Sequence, residues 1–485
     1  VAEGSHRRAH PAFEPGSEAY TAERRRHWDE TALALDRRQT GGYYHRRLAE
    51  AYRELVPPGL DVLEVGCGTG DLLAALEPRR GVGVDFSGEM LKVAQRRHPE
   101  LTFVEQDAHE LEVEGQFDVV LLSDLVNDLW DIQSVLERLR PRCRPRARLI
   151  LNTYSRLWEL PLAVAETVGL ARPVLRQNWL TVEDLENLMA LAGFETLRKF
   201  RDVLWPVSTP VVAGVVNRFL TKVSPFSAFS LVNFMVARPA PVAQARPPKV
   251  SIVVPARNEA GNIEAIFERV PKMGAETELI FVEGHSRDDT VGAIERSRRA
   301  HPERKSVFLQ QTGSGKGDAV RAGFAAAEGD ILMILDADLT VPPEDLPRFY
   351  DAIMSGQGEL INGVRLIYPM EDKAMRFLNL IGNKSFSLAF TWLLGQSIKD
   401  TLCGTKVLWK DDYERIAANR QRFGDFDPFG DFDLIFGAAK QNMKLVDLPI
   451  RYRERTYGET NIQRYKHGLL LIRMVAFAAT RIKFV

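Results

Sequence analysis

The run Leu63-Glu64-Val65-Gly66-Cys67-Gly68-Thr69-Gly70 decides how the first half of the chain folds. An apolar strand pattern stops at three glycines spaced Gly-x-Gly-x-Gly, and Leu72-Leu73-Ala74-Ala75-Leu76 continues with helical character. A strand–loop–helix unit of this kind takes glycine because the backbone must turn sharply and approach a ligand that a Cβ would block. Working outward, strand patterns recur at residues 61–65, 81–85, 102–105, 117–122 and 148–152, with helical patterns between them at 90–97 and 132–139. Thr181-Val182-Glu183-Asp184 is a capping sequence for a helix running to 192, and apolar stretches around Val203 and Val232 would complete a sheet. Strands alternating with helices in this way predict an α/β fold with a largely parallel sheet.

The chemistry gathers at the carboxyl ends of these strands, where open α/β sheets bind ligands. Glu64 precedes the glycines, Asp85 ends the next strand nineteen residues after Gly66, Asp107 follows the third strand and Ser123-Asp124 the fourth. Asp85 is spaced to meet the ribose hydroxyls of an adenosyl group. The loop lacks the Gly-x-Gly-x-x-Gly spacing of dinucleotide folds. Over residues 40 to 238 the pattern resembles the class I S-adenosylmethionine-dependent methyltransferases. That resemblance implies a Rossmann-like methyltransferase domain that binds S-adenosyl-L-methionine through Glu64, Gly66, Gly68, Gly70, Asp85, Asp107 and Asp124. Methyl transfer needs the nucleophile placed against the methyl group, and a base only for some acceptors. No residue declares itself as that base: His109 reads as an adenine-wall or surface residue before a catalytic one. Asp124 faces the acceptor in this reading, while Asp128 and Asp131 cap or solvate the following helix. Tyr43-Tyr44-His45 is either a lid over the cofactor or packing.

The second half has its own punctuation. Strand patterns at 250–255, 278–282, 306–310 and 331–335 lead into Ala256-Arg257-Asn258-Glu259, Glu283-Gly284-His285-Ser286 and Asp336-Ala337-Asp338, and a helical pattern closes at 323–328. Gly313-Ser314-Gly315-Lys316 precedes a helix; such a loop and its lysine suit phosphate, although the spacing is not that of a Walker loop. Strand alternation would point Asp336 and Asp338 to one side, where they can share a hard cation such as Mg or Mn with a diphosphate.

From residue 249 onward these features resemble the family 2 glycosyltransferases of the GT-A fold, in particular the polyprenyl-phosphate (dolichyl-phosphate) mannose and glucose synthases. Supporting segments are Gly363-Val364-Arg365, Asp400-Thr401-Leu402-Cys403-Gly404-Thr405-Lys406 and Arg455-Thr456-Tyr457-Gly458-Glu459-Thr460-Asn461. The resemblance implies a mixed-sheet Rossmann-like domain and inverting transfer. It makes Asp336 and Asp338 the metal and catalytic carboxylates, and Arg365 and Arg455, with Arg464 third, the phosphate contacts. Pro255, Arg257, Glu259, Glu283, Lys316 and Asp336 complete the expected nucleotide-sugar site. The chain has Glu283-Gly284-His285-Ser286 where the family has Asp-Asp-Gly-Ser, which leaves UDP versus GDP open, and Thr340 where many relatives have glutamine. A lipid phosphate acceptor is already a nucleophile; a hydroxyl acceptor would require a carboxylate base, and Asp431 and Asp433 are the candidates.

Composition bounds these readings. With 485 residues the chain has room for two cores, and its net charge of −1 excludes an electrostatic case for nucleic acid. Cys67, Cys143 and Cys403 are the three cysteines, too few and too scattered for a disulfide scaffold, which fits a reducing cytoplasm. Expected boundaries are a poorly ordered segment 1–20, a methyltransferase domain 21–238, a proline-rich linker 239–248 and a glycosyltransferase domain 249–485. No uncharged apolar run spans a membrane, so any contact at the inner face of the cell membrane is peripheral. The stretches 467–485 and 211–234 are each either an interfacial segment or core packing, with core packing favoured for the first. The expected function is a bifunctional transferase: methyl transfer, and transfer of a hexose from a nucleoside-diphosphate sugar to a polyprenyl phosphate. The alternatives are sugar transfer to a hydroxyl of a glycan or metabolite, and a methyltransferase-like half that serves only for binding or assembly.

Overall fold

Seven strands build the first sheet among the described residues: β1 (Asp61–Val65), β2 (Arg80–Asp85), β3 (Thr102–Glu105), β4 (Phe117–Leu122), β5 (Cys143–Tyr154), β6 (Phe194–Asp202) and β7 (Val232–Pro239). Their order is β3-β2-β1-β4-β5-β7-β6. The first five pair in parallel, and β7 runs antiparallel to both β5 and β6. The expected strand at Val203 lies just before it instead, in β6, and Val203 follows the strand with φ 57°. A computed structural model gives these coordinates and describes residues 17–36, 42–167, 175, 177–241, 246–365, 377–420, 431–451, 453, 457 and 472–484.

Period-two alternation builds the layers. Leu63 and Val65 face one way, into a core with Val135, Leu136 and Leu139 of the helix Ile132–Leu139 and Leu185 and Met189 of the helix Val182–Leu191. Val62, Val119 and Leu121 face the other way, onto Leu48, Tyr52 and Leu55 of the helix Tyr43–Leu55. The capping box at Thr181 is present: its Oγ1 accepts from the Asp184 amide at 3.1 Å, and the Asp184 carboxylate accepts from the Thr181 amide at 2.9 Å. The helix Ser17–Asp36 begins inside the segment expected to be poorly ordered.

A second seven-stranded sheet among the described residues comprises β8 (Lys249–Ala256), β9 (Glu276–Glu283), β10 (Ser306–Gln310), β11 (Ile331–Ile334), β12 (Leu360–Val364), β13 (Lys406–Trp409) and β14 (Leu445–Pro449), in the order β10-β9-β8-β11-β13-β12-β14. All pairs are parallel except those of β13, which opposes β11 and β12. Because β13 is reversed, its first residues arrive at the edge where the other strands end. Val253, Leu332 and Ile334 pack with Phe324, Phe432 and Ile435, while Ile252, Val254 and Met333 pack with Ile266, Phe267 and Phe349 on the opposite face. Met474 and Ala478 are buried in the first of these cores, so the described part of the C-terminal stretch packs against it.

The chain divides into two compact units, Val1–Ala240 and Pro241–Val485. Among the described residues no helix is long and apolar enough to cross a membrane.

Candidate active sites

In the first unit strand order reverses between β1 and β4, and a cavity of about 800 Å3 opens at that carboxyl edge. Glu64, Gly66, Gly68, Asp85, Asp107 and Asp124 all line it. Gly66 and Gly68 have φ of 73° and 51°, a conformation L side chains resist. A Cβ on Gly68 would meet no protein atom, so its absence enlarges the cavity, whereas one on Gly66 would press on the Leu125 side chain. Gly70 is not part of the lining. It starts the helix Asp71–Ala75 with φ 73°, and a Cβ there would strike the Phe103 ring.

Each acid has a distinct setting. Glu64 is 2% exposed and its Oε2 has no hydrogen-bond partner among the described residues. Burial pushes its carboxyl well above the usual range, against a hydrogen bond from the Leu73 amide and with help from nearby Asp85. Asp85 accepts from the Gly68 amide at 2.8 Å and the Ser87 amide at 2.9 Å, which ties β2 to the glycine loop; burial still raises its carboxyl. Asp107 accepts from both the amide (2.8 Å) and Nδ1 (2.7 Å) of His109. Burial alone would raise Asp107, and these bonds outweigh it and hold it low. His109 Nε2 accepts from the Asp131 amide at 3.1 Å, so its proton sits on Nδ1. With both nitrogens engaged, His109 is a brace between loops that lines the cavity.

At the other end of the cavity Asp124, at φ 52°, accepts from Tyr44 Oη at 2.8 Å and Asn152 Nδ2 at 2.5 Å. Tyr154 lies 6.2 Å from the Tyr44 ring, and His45 also lines the cavity. Burial raises the Asp124 carboxyl, partly offset by His45, Tyr44 and Asn152. Asn152 and Tyr154, on β5, were not singled out in the sequence, where the expected strand ended at 152. Tyr20, Arg24, His27 and Trp28 of the helix Ser17–Asp36 add to the lining. The donor set suits the expected cosubstrate: an unpartnered buried carboxyl oxygen for an ammonium, and a backbone cradle kept open by Gly68.

In the second unit the same edge collects residues from β8, β9, β11, β12 and the reversed β13. The expected alternation of Asp336 and Asp338 does not hold. β11 stops at Ile334, and the pair sits on a turn in which the Leu339 amide reaches the Asp336 carbonyl at 3.2 Å. Asp338 Oδ1 accepts from Thr340 Oγ1 at 2.8 Å, so the threonine found in place of glutamine orients one acid. Asp336 Oδ1 pairs with Lys316 Nζ at 2.5 Å, at the head of the helix Lys316–Ala326. Burial alone would raise Asp336; Lys316, Lys406 and Arg365 overcome it and hold the carboxyl low. A Cβ on Gly404 would fall on Asp336 Oδ2 and Lys316 Nζ, so glycine there lets the loop lie against the pair.

Around this pair the outcome is mixed. Arg365 donates to both oxygens of the fully buried Asp400, at 2.7 and 2.8 Å. Lys406, also fully buried, donates to the Cys403 carbonyl at 2.5 Å. Asp400 and Lys406 had no assigned role in the sequence, and the antiparallel course of β13 is what brings them here. Glu283 caps its own turn through the Ser286 amide at 2.5 Å, and Glu259 holds Asn262 Nδ2 at 2.7 Å. Pro255 is half-buried and Arg257 exposed on the same edge. Asp433 lies apart from this cluster in the sequence and is taken up by Arg420 Nε at 2.7 Å, in the helix Asp431–Lys440. The Asp431 side chain, Arg455 and Arg464 lie outside the described residues. No cluster of three or more metal-ligating side chains forms among the described residues. Two carboxylates on one turn, with space kept by Gly404, fit a hard cation that draws its other ligands from diphosphate and water.

Comparison with known proteins finds a different family in each half of the chain. The methyltransferase domain family matches residues 62–146, and glycosyl transferase family 2 matches residues 251–416. The chain thus joins a methyltransferase domain to a family 2 glycosyltransferase domain. It is similar to a dolichol-phosphate mannosyltransferase of Pyrococcus furiosus, 27% identical over 44% of this chain and 59% of the relative. It is also similar to an undecaprenyl-phosphate 4-deoxy-4-formamido-L-arabinose transferase of Proteus mirabilis, 35% identical over 44% of this chain and 62% of the relative. This chain therefore spans less than two thirds of either relative's length. A solved complex of the Haloferax volcanii Trm112 methyltransferase activator with a putative methyltransferase is 15% identical, with a TM-score of 0.33, over 47% of this chain and 99% of that one.

Proposed function

We propose that the chain carries two transfer activities: methyl transfer from S-adenosyl-L-methionine in the first unit, and metal-dependent, inverting transfer of a hexose from a nucleoside-diphosphate sugar to a polyprenyl phosphate in the second. The observation that carries the reading is common to both units. At the carboxyl edge of each sheet a carboxylate stands with a glycine loop that has no Cβ: buried Glu64 lines the first cavity together with Gly68, and half-buried Asp336 lies against Gly404.

Bound S-adenosylmethionine supplies an electrophilic methyl group on a sulfonium. Glu64 would receive the ammonium of its methionine part, Asp85 the ribose hydroxyls, and Asp107 with His109 would shape the adenine end. Asp124, held by Tyr44 and Asn152, positions the acceptor, whose lone pair forms the new bond as the carbon–sulfur bond breaks.

A bound Mg or Mn ion supplies neutralisation of the departing diphosphate, and Asp336 and Asp338 would hold it. Lys316 and Lys406 add fixed positive charge beside these acids. A phosphate oxygen of the lipid attacks the anomeric carbon, the bond to the nucleoside diphosphate breaks, and no proton has to be removed. The names of the two relatives, which specify dolichol phosphate and undecaprenyl phosphate, support a lipid phosphate acceptor. The Asp433–Arg420 pair gives no support to a carboxylate base for a hydroxyl acceptor.

Incubation of the full chain with labelled UDP- and GDP-hexoses, Mg or Mn, and polyprenyl phosphate tests this. Label should enter the lipid phase only with metal, and Asp338→Asn should abolish it. Transfer to a soluble hydroxyl acceptor instead would refute the lipid assignment.

A further inference from the structure

The segment joining β6 to β7, residues 203–231, presents an unusual surface. It forms the helix Val212–Phe219 and the short turns Leu220–Lys222 and Phe226–Phe229. Val207, Val211, Val215, Phe219, Phe226 and Phe229 are exposed on it, Val211 to 81%, Val207 to 61% and Phe229 to 60%. Single exposed apolar residues are ordinary, but a run of this kind marks an interaction surface. The neighbouring helix Glu159–Thr167 adds Leu160, 78% exposed, and Val164. Trp158 Nε1 donates to the Phe229 carbonyl at 2.9 Å and joins the two apolar faces.

Charge narrows the partner. Between Asp202 and Glu259 the chain has no acidic residue, while Arg218 and Lys222 lie within the segment. At its base two cations lie near the Phe200 ring, Arg198 Cζ 4.8 Å and Lys222 Nζ 5.9 Å from its centroid. Arg198 Nε has no hydrogen-bond partner among the described residues. Beneath the surface Asp202 pairs with Lys222 at 2.6 Å and with Arg47 at 3.1 Å, and Arg47 also pairs with Glu50 at 3.1 Å, so these buried charges are balanced. An apolar face with the exposed Arg218 and no acid in its segment is what an anionic lipid interface accepts: acyl chains take the Val and Phe side chains, and headgroup phosphates take the guanidinium.

The segment is also tied to the cavity. Asn217, 1% exposed, takes the Leu204 and Trp205 amides on its Oδ1 and donates through Nδ2 to Tyr43 Oη at 3.0 Å. Tyr44, the next residue, donates to Asp124 in the cavity. Tyr154, which lines the cavity, precedes the apolar helix by five residues.

We propose that residues 203–231, together with the face of Leu160 and Val164, seat the methyltransferase unit on an anionic bilayer, so that its acceptor arrives from the membrane. The docking surface stands on the exposed residues and charge; the membrane-borne methyl acceptor rests in addition on the methyl-transfer reading above.

Sedimentation of the full chain with vesicles of phosphatidylcholine alone, or mixed with phosphatidylglycerol, tests the surface. The mixed vesicles should retain the protein, and less so as salt rises. The triple variant Val207→Ser, Val211→Ser, Phe229→Ser should lose at least about tenfold in vesicle partitioning while keeping the parent circular dichroism spectrum. The pair Leu160→Ser, Val164→Ser should lose about threefold and serves if the triple variant does not fold. No retention on mixed vesicles, or retention unchanged in both variants, would overturn the proposal. So would reversible dimerisation in the ultracentrifuge that the variants abolish, without vesicle binding. Calorimetry with S-adenosylmethionine in vesicle-free solution separates the two readings: vesicle retention without cosubstrate binding leaves the docking surface standing and sinks the methyl acceptor.

Discussion

Glu64 is a carboxyl that lines the cavity while only 2% exposed, and one of its oxygens has no hydrogen-bond partner among the described residues. Burial raises it well above the ordinary range, so the neutral form extends to higher pH than for an exposed glutamate. A ligand ammonium favours the ionised form, so binding through Glu64 expels a proton. Affinity for S-adenosylmethionine should therefore rise with pH from the ordinary carboxylate range upward, through the raised value, and then level off. Calorimetry in buffers of different ionisation enthalpy should detect the released proton, and Glu64→Gln should flatten the pH dependence. The identity of Glu64 was legible because it directly precedes the glycine loop; its isolation was not, since that depends on what packs around it. His109 shows the reverse: two residues after Asp107, it reads in the sequence as an adenine-wall or surface residue before a catalytic one, and the Asp131 amide at its other nitrogen makes it a brace.

Among the elements, the loop from Asp400 to Gly404 owes its position to the antiparallel course of β13. Its glycine lies against Lys316 and Asp336, where a methyl group has no room. Gly404→Ala should lower hexosyl transfer by about 100-fold through displaced charges, with cosubstrate binding in the first unit unchanged. A parallel assay of the two activities checks this, and equal loss of both would point to general misfolding. Strand ends at β1, β2 and β8 were readable, since apolar runs ending in Gly, Asp or Pro have a strong local signature. The turn carrying Asp336 and Asp338 was not: an Asp-x-Asp pair after an apolar run looks the same whether the strand continues or stops at Ile334.

On the scale of the whole molecule, each unit has its own sheet with a core on each face. Independent cores unfold independently when few contacts cross between them. Scanning calorimetry should show two transitions. S-adenosylmethionine at 100 times its dissociation constant should stabilise one of them by about 2.7 kcal/mol and leave the other in place. One transition that moves as a whole would contradict this. The sequence by itself determined the two α/β units, the strands that carry the candidate acids and the glycines that clear space beside them, because these follow from local periodicity and backbone sterics. Tertiary structure alone decided which charges meet, Arg365 with Asp400 and Lys316 with Asp336, and which Val and Phe residues of 203–231 are exposed. Such pairings depend on strand order and direction across long stretches of chain, which local pattern does not encode.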